Sequence, residues 1–266
     1  CNECGDGKYF RMFKYGCFKN SKLQSFIVAG IFKYHRIRKS FYEQIDRYIC
    51  LNDNQIRLLI NIGFDPNKII KKYNFVPDAE ANLKAIKVKE LPERYVVFYG
   101  RIGEEKGIKM LMNIWDELKD IPLVVMGGGP LEGEFKSWAE KQSNVYFLGY
   151  TQHDKCLSIV KGGEFVIFPS IWYEGCSMVE IESESLGKGL IATDLGFSEE
   201  AVHNGVNGYK VKLGDERGFV DIISKLWNNS DECRKIGENA RRDYEEKYMP
   251  EDNYQQLIEI YRQSLN

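Results

Sequence analysis

The sequence predicts an α/β protein in which a doubly wound parallel sheet, covered by helices on both faces, follows a smaller α/β domain. Three observations predict it. From Arg94 onward, short continuous apolar runs alternate with segments of helical period, the pattern of parallel strands buried on both faces. The first two runs pass directly into glycines, at the strand ends where such sheets hold their ligands. A polar stretch without a convincing period, from Pro77 to about Pro92, separates this rhythm from the chain before it and reads as a linker.

In the smaller domain, residues 20–43 read as a helix, because Leu23, Phe26, Ile27, Gly30, Ile31 and Tyr34 recur at spacings of three and four. Its far end is basic, with Lys33, Arg36, Arg38 and Lys39. A short strand at 47–51, a helix around 55–62 and a strand at 68–73 follow. The main sheet is then built from runs at 95–99, 123–126, 145–148 and 165–168, each followed by a helix-like segment, and from two further runs at 190–192 and 209–211. The last forty residues read as helix, broken at Met249-Pro250, where proline cannot continue the hydrogen-bond ladder. No internal repeat or low-complexity stretch is visible.

Composition narrows the class. Apolar residues make up 43% and charged residues 29%, enough for a core and too little net bias for a disordered tail. No apolar run approaches the roughly 20 residues that cross a bilayer, and the opening Cys1-Asn2-Glu3-Cys4 is not a signal peptide. The chain does not open on Met, which points to a truncated or processed start. Seven scattered cysteines, an odd number, fit reduced thiols and a cytoplasmic setting better than a disulfide framework. The net charge of −2 hides an asymmetry: residues 1–50 carry ten Lys/Arg against four Asp/Glu, the remainder 27 against 35. A basic front on an acidic body suggests an anionic partner, such as a lipid surface at the inner face of the plasma membrane or a lipid-linked phosphate; ordinary solvated charge is the alternative.

The strongest chemical signal is Pro169-Ser170-Ile171-Trp172-Tyr173-Glu174-Gly175-Cys176-Ser177-Met178-Val179-Glu180-Ile181-Glu182, which follows a buried strand and opens a helix. Around Gly175, Cys176, Ser177, Met178 and Val179 the backbone turns into that helix, and its unpaired N–H groups suit a phosphate. At about 1.5 Å per residue, Glu182 lies roughly 9 Å along the helix, about the reach from a diphosphate to a ribose. A carboxylate there can accept hydrogen bonds from two vicinal hydroxyls, with Glu174 facing the sugar side. The second signal is Gly100-Arg101-Ile102-Gly103-Glu104-Glu105-Lys106-Gly107. It puts a fork-shaped cation and a point charge, Arg101 and Lys106, where a diphosphate would leave. Gly127-Gly128-Gly129-Pro130 is the third, where missing side chains permit close backbone approach. Each signal alone is more often solvated surface or an ordinary turn. Their succession at consecutive strand ends is what singles them out.

With these residues in view, the stretch from Ile45 to Gly208 resembles glycosyltransferase family 4, whose members have the two-domain GT-B fold with Rossmann-like sheets. The matching stretches are Gly100-Arg101 to Lys106-Gly107, Gly127 to Pro130, Phe147-Leu148-Gly149, Pro169 to Glu182, and Ala192-Thr193-Asp194-Leu195-Gly196 through Gly205-Val206-Asn207-Gly208. Tyr73-Asn74-Phe75-Val76 is similar to the segment leading into that family's linker. The resemblance implies a retaining transferase that moves a sugar from a UDP-sugar or GDP-sugar to a glycan or lipid-linked acceptor, as in polysaccharide biosynthesis. No nucleic acid and no required cofactor or metal are implied. Arg101 and Lys106 would bind the diphosphate and Glu174 would lie near the transferred sugar. Gly100, Gly128, Gly129 and the 175–179 turn would line the donor, and Glu182 would hold the ribose. It further implies that residues 1–80 are a remnant of the acceptor-binding domain, 90–248 the donor domain, and 250–266 a helix crossing back. Members carry a glycine-rich loop and often an active-site His ahead of the point where this chain opens, so donor binding with little or no transfer is expected.

The sequence departs from the family in three places. Ser183 stands where Ala is usual, Gly187-Lys188-Gly189 replaces Gly-Lys-Pro, and in Gly196-Phe197-Ser198-Glu199-Glu200 only Glu200 keeps the common Gly-Gly-x-Pro-Glu pattern. Cys1, Cys4 and Cys17, with Met12 where relatives often have another cysteine, form a weak zinc set without an obvious fourth ligand. His35, His153 and His203 read as surface or packing residues, and Cys176 as a small residue that fits. Two rivals remain: a nucleotide-sugar-binding module without turnover, and an NAD-dependent oxidoreductase. The second is disfavoured because Gly127-Gly128-Gly129-Pro130 lacks G-x-G-x-x-G spacing.

Overall fold

The computed structural model describes residue 4, residues 7–83 and residues 91–265. Cys1 of the thiol trio, residues 84–90 of the expected linker and the last residue of the final helix lie outside the described residues. The chain divides into two units, Cys1–Lys72 with Gln256–Asn266, and Tyr73–Gln255. The division thus falls after Lys72, and the segment from Tyr73 to Leu83 goes with the larger unit.

The smaller unit runs α1 (Arg11–Tyr15), α2 (Lys22–Ile37), α3 (Ser40–Glu43), β1 (Tyr48–Cys50), α4 (Asp53–Asn61) and β2 (Ile69–Lys71). Its two strands pair in parallel, Tyr48 opposite Ile69. Ser21 caps α2 by accepting a hydrogen bond from the Gln24 N–H. The helix expected over 20–43 ends at Ile37, because Lys39 turns left-handed at φ 50° and α3 restarts as a separate turn. The side chains that betrayed its period (Leu23, Phe26, Ile27, Ile31 and Tyr34) are exposed, whereas Ser25 and Ala29 are buried. α4 begins two residues ahead of expectation. There Asn52 Oδ1 accepts from the Gln55 N–H at 2.8 Å, and Gln55 Oε1 accepts from the Leu51 N–H at 2.8 Å.

The larger unit runs α5 (Ala79–Asn82), β3 (Val96–Tyr99), α6 (Ile108–Glu117), β4 (Leu123–Met126), α7 (Glu132–Ala139), β5 (Val145–Gly149), α8 (His153–Gly162) and β6 (Val166–Phe168). It continues with α9 (Met178–Ser185), β7 (Leu190–Thr193), α10 (Ser198–Ala201), β8 (Gly208–Val211), α11 (Glu216–Trp227) and α12 (Ser230–Lys247). The last helix, α13 (Pro250–Leu265), begins in this unit and ends in the smaller one. The short α5 inside the expected linker is nucleated by Asp78, whose carboxylate caps the Ala81 N–H at 3.2 Å and pairs with Arg241 at 2.7 Å. All six strands from β3 to β8 are parallel, in the order β5-β4-β3-β6-β7-β8.

Alternation along these strands builds two cores, one on each face. Val96, Phe98, Leu123, Val125, Ile167 and Ile191 point to one, beside Trp115 and Phe219. Tyr95, Val97, Tyr99, Val124, Met126, Val166, Phe168 and Ala192 point to the other, beside Ile159 and Leu186. Full burial of each such side chain contributes about 1.5–3 kcal/mol. Among the described residues, no helix is long and apolar enough to cross a membrane. No group of three or more His, Cys, Asp or Glu that could hold a metal ion occurs among them either.

Candidate active site

The strand order fixes where a ligand crevice opens. From β3 the chain runs outward through β4 and β5, then returns to place β6 on the other flank of β3. The connections leaving β3 and β6 therefore diverge, and the space beyond their carboxyl ends is the switch point of the sheet. The two loops carrying the strongest sequence signals leave from those two strands.

The loop after β3 lies directly on the loop after β6. At Gly107, φ is 71° and a Cβ would fall 1.9 Å from Pro169 O, so only glycine permits this approach. The contact brings two sequence-predicted residues together. Lys106 Nζ is 2.6 Å from Glu174 Oε1, with both side chains largely covered, and the ammonium also sits 5.3 Å from the Phe168 ring centroid. Ser170 Oγ lies 3.0 Å from the same carboxylate oxygen and 3.1 Å from Glu105 O, tying both loops to one point. Arg101 does not join this cluster. Its side chain is 63% exposed and pairs with Glu105 at 3.3 Å.

α9 starts at the mouth of the crevice. Ser177 is its N-cap, yet its side chain makes no cap bond. The first-turn N–H groups of such a helix lack intrahelical partners and favour an anion. Tyr99, the last residue of β3, holds this turn: its hydroxyl donates to Val179 O at 2.8 Å and lies 3.1 Å from Ser183 Oγ. Ser183, one of the departures from the family pattern, donates to Val179 O at 2.6 Å and so is satisfied within the helix. Gly100 lies against the same turn, where a Cβ would sit 3.8 Å from Val179 Cγ2. Cys176 is buried, and burial pushes its thiol up to about 12.

Glu182 follows one turn beyond Met178. It is mostly buried, and its Oε1 lies 3.4 Å from His153 Nε2 at the start of α8. Burial raises its carboxyl above the usual range, while His153 and Tyr99 act to lower it. On another face of α9, Glu180 and Glu184 are both buried. Ser198 Oγ donates to Glu180 at 3.1 Å, yet burial still lifts that carboxyl to about 8.

The glycine run after β4 has a different partner from the one its composition suggests. At Gly127, with φ 142°, a Cβ would fall 1.7 Å from Gly100 O, and at Gly129 it would fall 2.5 Å from Ile102 O. Gly128 O accepts from the Ile102 N–H at 3.0 Å. The run thus props the backbone of the Arg101 loop. A cavity of about 900 Å³, lined by Glu164, Lys188 and Arg234 among others, opens at the amino ends of β6 and β7, away from these residues.

Sequence reasoning left out Tyr99, Ser170 and His153 as functional residues. Each had a positional signal: Tyr99 ends a strand, Ser170 opens the loop after β6, and His153 begins the helix after the third strand. The assembled site combines an anion-favouring helix terminus, a largely covered ammonium–carboxylate pair and a carboxylate one turn further along. It can bind a phosphorylated ligand at one end and accept hydroxyl hydrogen bonds at the other.

Known proteins share this fold. Residues 80–243 match the family model described as "Glycosyl transferases group 1". O-antigen chain mannosyltransferase C of Escherichia coli is 26% identical over 173 residues, 64% of this chain and 46% of the relative. Alpha-D-kanosaminyltransferase of Streptomyces kanamyceticus is 26% identical over 197 residues, 70% of this chain and 51% of the relative. The chain therefore spans about half the length of these curated relatives. Among solved structures, HepE of Anabaena in complex with UDP and glucose superposes with a TM-score of 0.71 at 18% identity, covering 82% of this chain and 63% of that one. A glycosyltransferase from Rickettsia africae gives 0.73 at 20% identity, covering 84% and 64%. These likenesses establish an α/β fold of the GT-B type, with Rossmann-like parallel sheets, as the sequence predicted. With well over half of its length matched by the family model, the chain belongs to the group 1 glycosyl transferases.

Proposed function

We propose that this chain binds a nucleoside-diphosphate sugar, a UDP-sugar or GDP-sugar, and belongs to a transferase that passes the sugar to a glycan or lipid-linked acceptor with retained configuration. The observation that carries the reading is the junction at the switch point. There the Lys106–Glu174 pair lies beside the side-chain-uncapped start of α9, with the largely buried Glu182 further along the same helix. In this scheme the diphosphate lies at the start of α9, against Lys106 and Arg101, which offset the negative charge that grows as the leaving group departs. Glu182 accepts hydrogen bonds from the ribose hydroxyls, and Glu174 faces the transferred sugar, held in orientation by Ser170 and Lys106. The solved relative bound to UDP and glucose supports the ligand class, as do relatives that transfer mannose and kanosamine by name.

The same reading takes the exposed Phe26, Ile27 and Ile31 on α2, with Lys33 and Arg36 nearby in sequence, as a contact for an anionic membrane face. This agrees with a cytoplasmic protein working at the inner leaflet on an envelope polysaccharide or lipid-linked glycan. Calorimetric titration with UDP, GDP, UDP-glucose and GDP-mannose, beside Glu182→Ala and Arg101→Ala, tests the donor reading. Binding of one nucleotide series, weakened at least about tenfold by Glu182→Ala, is expected. No binding by any of the four overturns it, and binding without transfer on supply of acceptors favours a nucleotide-sugar-binding module.

A further inference from the structure

The segment Tyr73-Asn74-Phe75-Val76 has no role in the scheme above, yet it is fastened from both sides within the larger unit. Tyr73 O accepts from Asn253 Nδ2 at 2.7 Å, and Val76 O accepts from the Tyr244 hydroxyl at 2.9 Å. The Tyr73 ring packs edge-on against Tyr248 and Phe197, and the Phe197 N–H in turn donates to Glu174 O at 3.0 Å. Val76 is buried. Between these anchors, Asn74 makes two bonds to a residue 102 positions away: its Nδ2 donates to Cys176 O at 2.9 Å, and its backbone N–H to Cys176 Sγ at 3.4 Å.

The first bond has a directional consequence. A peptide unit is planar and trans, so its C=O and the following N–H point in opposite directions, and among the described residues no peptide bond is cis. Holding the Cys176 carbonyl toward Asn74 therefore aims the Ser177 N–H away from Asn74. Ser177 is the N-cap of α9 and its side chain makes no cap bond, so this N–H stands at the end of the row offered to an anion. If the carbonyl were released, that peptide could rotate and present an oxygen where the anion sits.

We propose that Asn74 is a positioning residue for the donor, fixing the 176–177 peptide so that the Ser177 N–H faces the diphosphate. This rests on the donor reading given above. Asn74 touches no ligand in this role. It acts through Cys176, and it delivers its bond from a strap whose own attachments lie on the α12 and α13 side.

The test is a pair of titrations on the whole chain, with the nucleoside diphosphates UDP and GDP and with the matching nucleosides uridine and guanosine. The ratio of the two affinities isolates the phosphate end of the site. Asn74→Ala and the near-isosteric Asn74→Asp, which cannot donate, are expected to lower that ratio at least about tenfold while leaving nucleoside affinity in place. Tyr244→Phe, which removes only the bond to Val76 O, is expected to lower the melting temperature without moving the ratio. A ratio unchanged in both Asn74 variants overturns the inference, as does an equal fall in the ratio with Tyr244→Phe, which would make the effect one of general stability. If the unmodified chain binds none of the nucleotides, the donor reading itself fails and takes the role of Asn74 with it.

Discussion

Replacing Glu180 with Gln should remove a pH dependence of stability that the wild-type fold carries between about pH 4.5 and 8. Glu180 is fully buried on α9, and burial raises its carboxyl from 4.5 to about 8. The Ser198 hydroxyl bond and the charge of Lys106 pull it down, while Glu174 pushes it up. A carboxyl raised on folding favours the protonated native state. Its stabilising effect is therefore complete below the unfolded value near 4.5 and is lost as the pH climbs through the folded value near 8. A tenfold difference in proton affinity between the folded and unfolded chain is worth about 1.36 kcal/mol, so the native state gives up about 3 kcal/mol between pH 4 and pH 7, and somewhat more by pH 9. Gln keeps an acceptor for Ser198 Oγ and carries no titrating group. Chemical denaturation of both proteins at several pH values between 4.5 and 9 reads the difference directly. The variant is expected to gain on the wild type by about 4 kcal/mol across that range, whatever constant offset its amide introduces. Parallel curves would refute the argument, since they would mean that Glu180 ionises in the folded protein as readily as in the unfolded one.

Glu182→Gln should separate stability from binding: burial raises this carboxyl, so losing the charge raises the melting temperature at neutral pH. The same change weakens nucleotide binding at least about tenfold by calorimetry, and a variant that binds as well as wild type would remove Glu182 from the site. Gly107→Ala puts a Cβ 1.9 Å from Pro169 O at a left-handed position. A cost of about 2 kcal/mol, or roughly 4–8 °C in melting temperature, is expected, and an unchanged melting point would contradict the loop-on-loop contact. Vesicles rich in phosphatidylglycerol should pellet the chain at low ionic strength, with loss at high salt and in Ile27→Asp/Ile31→Asp. Failure of the unmodified chain to bind them at low salt would count against the membrane contact.

The main sheet was legible because burial on both faces leaves continuous apolar runs. The runs at 95–99, 123–126, 145–148, 165–168, 190–192 and 209–211 became β3 to β8 with ends shifted by one residue at most. Periodicity was less informative for α2. It revealed a helix, yet the stripe of Leu23, Phe26 and Ile31 is the exposed side, because period alone does not say which neighbour covers a face. α5 and the early start of α4 rest on single capping side chains, Asp78 and Asn52, which a search for apolar period passes over. At the site, Lys106 and Glu174 were foreseen as separate contributors from separate loops. Their direct pairing depends on β3 and β6 being neighbours, which is a matter of strand order. The same holds for His153 beside Glu182 and Asn74 beside Cys176, pairs separated in sequence and joined only by topology.

The seating of Gly107 on Pro169 also bears on how such a protein can change over time. With the two loops in backbone contact, their lengths are locked to each other: an inserted residue in either would part Lys106 from Glu174. The turn after β5 is under no such lock. A Cβ at Gly149 would meet nothing within 4 Å, so only its left-handed φ of 65° holds that position to glycine, and Tyr150 beside it is 84% exposed. Drift in length and chemistry should therefore collect there, on the flank next to His153, leaving the Lys106–Glu174 end of the crevice as the part that successive variants inherit unaltered.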